Sequence, residues 1–131
     1  MVAMAKLTKT IDHKSDMAVF TVDGDLDHSD EMLDFIESHD NEKQVTRNLF
    51  DFRNASWSSI PVDEFKVAIQ RARKFSRKGI KTAFVLPGDA DYGMGRMLSA
   101  LSEVSRYVST IRVFRTIEAA TEWLFSQENE L

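Results

Sequence analysis

Pro61-Val62-Asp63-Glu64-Phe65-Lys66-Val67-Ala68-Ile69-Gln70-Arg71-Ala72-Arg73-Lys74-Phe75, followed by Ser76-Arg77-Lys78-Gly79 and then Ile80-Lys81-Thr82-Ala83-Phe84-Val85-Leu86-Pro87-Gly88, reads as a helix handing over to a strand. Pro61 suits a first helical position, where its missing N–H costs nothing, and Asp63 and Glu64 suit the positive end of the helix dipole. Val62, Phe65, Ala68, Ile69, Ala72 and Phe75 recur on one apolar face. Gly79 can take the left-handed conformation that stops a helix. Ala83-Phe84-Val85-Leu86 shows no alternation, the pattern of a strand covered on both faces, and Pro87-Gly88 ends it. This pair predicts a helix lying on a sheet, with Ala83 to Leu86 as its middle strand.

Working outward, Met4 to Asp12 and Met17 to Asp23 suit two strands joined by the polar turn His13-Lys14-Ser15-Asp16, an antiparallel hairpin. A helix should follow, capped by Asp27, Ser29 or Asp30, with Met32, Phe35 and Ile36 at helical spacing and an end near Ser38 or His39. Thr46 to Arg53 reads as a buried strand, and Asn54 to Ser59 as the loop into the helix at Pro61. A third helix is expected from about Asp91 to Tyr107, burying Met94, Met97, Leu98, Leu101 and Val104. A strand at Ile111 to Phe114 and a last helix carrying Ile117, Ala120, Trp123 and Leu124 complete the chain. The expected fold is therefore α/β: one mixed sheet of about five strands, mostly parallel behind an antiparallel N-terminal hairpin, with about four helices in the order ββαβαβαβα.

Residues 1–131 fit a single domain with its own core. Apolar residues at 43% and charged ones at 29% are ordinary globular usage, without repeats or low-complexity tracts. Cysteine is absent, which removes disulfides and thiolate chemistry and suits a cytoplasmic location. The opening residues lack a signal-peptide stretch, and no apolar run is long enough for membrane insertion. A net charge of −4 and a pI near 5.4 repel polyanions, so nucleic acid is not an expected partner.

Several stretches of the sequence resemble the STAS-like group, the domain type of bacterial anti-sigma-factor antagonists, and in particular its stand-alone branch. These are Asn48-Leu49-Phe50-Asp51-Phe52-Arg53 before a loop with Trp57, Gly79-Ile80-Lys81-Thr82-Ala83-Phe84-Val85, and Arg112-Val113-Phe114 leading to Ala119-Ala120-Thr121-Glu122-Trp123-Leu124. The likeness extends over nearly the whole chain. It implies a regulatory serine at the start of the helix after the third strand, in an Asp-Ser-Ser-Gly-type motif. Here the stretch reads Ser56-Trp57-Ser58-Ser59-Ile60-Pro61: the paired serines are kept, while the preceding acid and the following glycine are not. Ser58 and Ser59 are the candidate phosphorylation positions.

Other constellations have plainer readings. Asp23-Gly24-Asp25-Leu26-Asp27-His28-Ser29 has the alternating carboxylates of a calcium loop, but His28 stands where glycine is needed, so a helix cap with acids near it is expected. Gly93-Met94-Gly95 lacks the Gly-Lys-Ser/Thr ending of a phosphate loop; loop-to-helix geometry and small-residue packing are expected there. His13, His28 and His39 share no ligand spacing, so neither a metal nor a cofactor is expected. No serine sits in a nucleophile elbow, and a catalytic role is not expected. The cations from Arg71 to Lys78 are expected to complement a helix C-terminus.

The functional expectation is a non-catalytic interaction or regulatory module with an unknown protein partner, docking through Ser56, Trp57, Ser58 and Ser59. Trp57, a large aromatic in a polar loop, is either a lid over the core or an exposed anchor; the docking reading takes the second. The alternative is a binder of small apolar, lipid-like ligands, since members of this broad fold group have been likened to lipid-transfer domains. Homodimerisation is possible, with no residue that fixes it.

Overall fold

The computed structural model describes residues 5–28, 30–38, 45–75, 77–105 and 109–126. Strands β1 (Lys6–Asp12) and β2 (Met17–Asp23) are followed by α1 (Asp30–Ser38), β3 (Arg47–Asn54) and α2 (Val62–Ala72) with a 3-10 turn at Arg73–Phe75. After these come β4 (Lys81–Val85), α3 (Asp89–Val104), β5 (Thr110–Phe114) and α4 (Ile117–Leu124). This is the expected ββαβαβαβα order in one five-stranded mixed sheet. The expected start at Met4, the cap at Ser29, the helix ends at His39 and Tyr107 and the side chain of Phe75 lie outside the described residues.

The strands lie side by side in sequence order, β1 antiparallel to β2 and every later pair parallel. Because each crossover steps the same way with the same hand, α1, α2 and α3 fall on one face of the sheet. Phe65 and Ile69 of α2 and Leu98 of α3 are buried there with Phe20, Phe50 and Phe84, and Met32, Phe35 and Ile36 of α1 pack beside them. Helix α4 packs on the other face, where Ala120, Trp123 and Leu124 meet Leu49, Ala83 and Val85.

Parallel register builds the centre of the core. Phe20, Phe50 and Phe84 are direct partners on neighbouring strands. Their rings stack at 4.4 Å and 4.8 Å between centroids. Each such pair is worth about 0.5–1.5 kcal/mol beyond its buried area.

Several expectations change, among them the burial of Val104, which is 78% exposed at the last residue of α3. The middle strand is β3, not the stretch from Ala83 to Leu86; β4 is buried on both faces but lies one place from the edge strand β5. Helix α2 begins at Val62, so Pro61 is its N-cap residue, and Val62 is 47% exposed because the helix starts at the rim. Helix α3 starts at Asp89, two residues early, so Gly93 and Gly95 lie within it and not at a loop-to-helix junction. Gly79 has φ +89, in the left-handed region, but it turns the chain into β4 some residues after α2 has ended.

Candidate protein-interaction surface

The connection topology brings four helix N-termini to the carboxyl ends of the parallel strands. Their first turns carry Asp30 and Glu31, Asp63 and Glu64, Asp89 and Asp91, and Glu118, the acids that complement a helix dipole. The segment from Asn54 to Pro61 runs through this rim. It leaves β3 just past an irregularity in register: Thr21 pairs with Asp51 but Asp23 pairs with Asn54, so β3 holds one extra residue. Such a bulge re-aims a chain where it leaves a sheet.

The loop then closes a four-residue turn, with the Ile60 amide donating to the Trp57 carbonyl at 3.0 Å. Both ends of the turn are buried, Trp57 at 1% exposed and Ile60 at 3%, while Ser58 and Ser59 between them are exposed. Trp57 is therefore the lid and not the exposed anchor. Its ring packs on Phe52, Phe84 and Phe65 at 5.0, 5.1 and 5.5 Å, three rings that only the folded chain brings together. At the surface of the turn stand the serines and not the indole.

Asp91 pins the turn from the other side. Its Oδ1 accepts from Ser56 Oγ at 2.8 Å and from the Trp57 amide at 3.1 Å, and its carbonyl accepts from Trp57 Nε1 at 3.0 Å. One helical turn later, Gly95 makes room for the same ring. A Cβ there would lie 2.5 Å from Leu86 Cδ1, 2.7 Å from Val113 Cγ1 and 3.4 Å from Trp57 Cζ2. Small-residue packing explains Gly95, while a Cβ at Gly93 would meet nothing within 4 Å. The Ser58 Oγ lies 3.1 Å from Ser56 Oγ, so the hydroxyls form a short chain ending on the carboxylate.

The segment from Gly24 to His28 forms the neighbouring wall. The Gly24 amide donates to the Asn54 carbonyl at 3.0 Å and the Leu26 amide to the Ser56 carbonyl at 2.8 Å, with Leu26 fully buried. His28 Nδ1 stands 3.0 Å from Glu64 Oε2 in the first turn of α2. The Glu64 hydrogen bond and charge raise the His28 pKa above its ordinary value, with Asp27 and Asp30 adding to the effect. Asp23, Asp25 and Asp27 are exposed, and among the described residues no group of three His, Cys, Asp or Glu could hold a metal ion.

The cations from Arg71 onward pair with the acids of α1 and with the C-terminal end of α2. Arg71 pairs with Asp34 of α1 at 2.6 Å and reaches Asp30 and Glu37 at 3.5 Å; Lys74 pairs with Glu37. The Arg77 guanidinium donates to the Lys74 carbonyl at 2.7 Å, as a cation at a helix C-terminus does. Among the described residues, no helix is long and apolar enough to cross a membrane.

Asp91, Glu64 and His28 were not separable in the sequence as parts of this surface. An acid in a first helical turn is expected for dipole reasons alone, and the partners lie 34 to 36 residues away.

Neither a family model nor a curated protein matches the chain. Solved structures do. An anti-sigma factor antagonist from Mycobacterium paratuberculosis superposes with a TM-score of 0.62 at 11% identity, covering 96% of this chain and all of that one. An uncharacterised protein with a SpoIIAA-like fold from Shewanella loihica gives a TM-score of 0.55 at 13% identity, covering 92% and 93% of the two chains. At such identities the shared property is the path of the backbone, and on that ground this chain has the STAS-like fold.

Proposed function

We infer that the chain is a non-catalytic regulatory module that docks a protein partner through the rim at the carboxyl ends of its strands. The centre of that surface is the turn bearing Ser58 and Ser59, with Ser56 behind it. The observation that carries this reading is the construction of the turn: the exposed Ser58 and Ser59 stand between the buried Trp57 and Ile60, and Asp91 holds the start of the turn through the Ser56 hydroxyl and the Trp57 amide. A rigidly held polar loop loses little conformational freedom on binding, which favours recognition. Likeness in fold to an anti-sigma factor antagonist supports a protein as the partner.

Ser58 and Ser59 are also the proposed phosphorylation positions. A phosphate adds roughly −1.5 to −2 charges beside the N-terminus of α2, where the helix dipole favours it, while Asp63, Glu64 and Asp91 oppose it. The docking surface would change in charge without a change of fold. An apolar ligand has less support. The stacked Phe20, Phe50 and Phe84 rings and the closeness of Leu86 and Val113 to Gly95 commit the apolar side chains to one another.

The test is affinity capture from the native cell with wild type beside a Ser58→Glu/Ser59→Glu double variant of unchanged thermal stability. A partner identified with wild type should be weakened at least about tenfold by the variant, the size of a hot-spot loss. Equal retention by both proteins would remove the serine turn from the interface. Intact mass of the native protein, free of phosphate in every growth condition, would remove the modification.

A further inference from the structure

The serine turn is held on two sides by different chemistry. On the α3 side, Asp91 makes hydrogen bonds to a hydroxyl and an amide. On the other side the segment from Gly24 to His28 is stitched to it by two backbone bonds, from Gly24 to Asn54 and from Leu26 to Ser56, and then by the His28–Glu64 contact. That last contact closes the row. It joins the end of the β2–α1 connection to the first turn of α2, so the serine turn lies within a loop whose two ends are tied.

The geometry points to His28 and Glu64 as a pH-operated clasp that sets how readily the wall from Gly24 to His28 opens away from the serine turn. Glu64 from α2, Asp27 from its own segment and Asp30 from α1 each favour the imidazolium, while Arg71 of α2 reaches the same Asp30 at 3.5 Å. Protonated His28 closes an ion pair; neutral His28 leaves a single hydrogen bond whose existence depends on the tautomer. His13 sits in the β1–β2 turn at the other end of the sheet and does not report on this wall. Opening would expose Leu26, which is fully buried, and free the Ser56 carbonyl, so the surface offered to a partner differs between the two states. This deepens the docking reading given above and rests on it for its biological meaning, but opening itself is measurable without a partner.

The experiment is amide hydrogen exchange on the full chain, corrected for intrinsic rates, at pH values from 5.5 to 8.5, beside an NMR titration of the His28 ring. The Leu26 amide should lose about two- to fivefold of its protection across the His28 titration in wild type, the range of an exposed ion pair. Glu64→Gln should flatten that profile and lower the His28 pKa. His28→Asn, which leaves Glu64 untouched, should flatten it too. The same pH profile in wild type and both variants, or a His28 pKa indifferent to Glu64→Gln, would overturn the clasp. Partner capture that fails while the profile behaves as expected would instead fault the docking reading alone.

Discussion

The two tryptophans sit on opposite faces of one sheet and are treated differently. Trp57, under the helices, has three aromatic neighbours, and its indole N–H donates to the Asp91 carbonyl. Trp123, on the face covered by α4, is 6% exposed, and its buried indole nitrogen has no hydrogen-bond partner among the described residues. Its ring lies instead under the Lys81 ammonium at 5.1 Å and the Arg112 guanidinium at 5.3 Å, with Phe114 alongside. Cations and an unbonded donor make a cover that tolerates change; a bonded donor within a ring cluster fixes one arrangement. The difference teaches that the face supporting the serine turn is the more tightly specified one.

The largest expected effect is that of Trp57→Ala, which empties the centre of the ring cluster and should cost about 3–5 kcal/mol in chemical denaturation. A loss under about 1 kcal/mol would break the contrast. Asp91→Ala should follow at about 1.5–3 kcal/mol, since it removes a charged acceptor from the Ser56 hydroxyl and the Trp57 amide at once. Gly95→Ala, pressing a methyl against Leu86 and Val113, should destabilise by about 1–3 kcal/mol, and thermal melting would register it. The conservative pair sharpens the comparison further. Trp57→Phe gives up the bond to Asp91 and should lose about 1–2 kcal/mol, whereas Trp123→Phe discards only an unbonded N–H and should stay within about 1 kcal/mol of wild type.

The smallest effect is that of pH on the exposed His28–Glu64 pair. Because the folded His28 pKa is raised, its stabilising contribution is complete below the unfolded value near 6.5 and disappears as pH rises through the folded value. Wild type minus Glu64→Gln, followed by urea titration at each pH, should show that decline in this direction and no other.

Much of the fold was legible because local signals agreed. Strand β2 has the expected bounds, Met17 to Asp23, since a polar turn and an acidic loop flank a β-branched run. The apolar spacing of Phe65 and Ile69 placed α2 on the sheet. Legibility ended where long-range pairing decides. The central place of β3 is hidden by its polar residues Asn48, Asp51 and Arg53, although Asp51 is largely buried in the sheet. Burial pushes the Asp51 carboxyl up, but the Arg53 hydrogen bonds and charge outweigh it and hold the pKa below its ordinary value. Trp57 was ambiguous for the same reason: a tryptophan between serines reads as exposed until Phe52, Phe65 and Phe84 are seen to converge. The serines drew attention to this loop, but neither Asp91 behind them nor the His28 wall had a local signature.

The most direct check uses Trp123→Phe, which leaves Trp57 as the sole tryptophan. In the folded variant its fluorescence should be blue-shifted and poorly quenched by acrylamide, with Asp91→Ala added on top making it more accessible. Red-shifted, freely quenched emission from a folded protein would place the indole in solvent and contradict the buried pin on which the outward-facing serines stand.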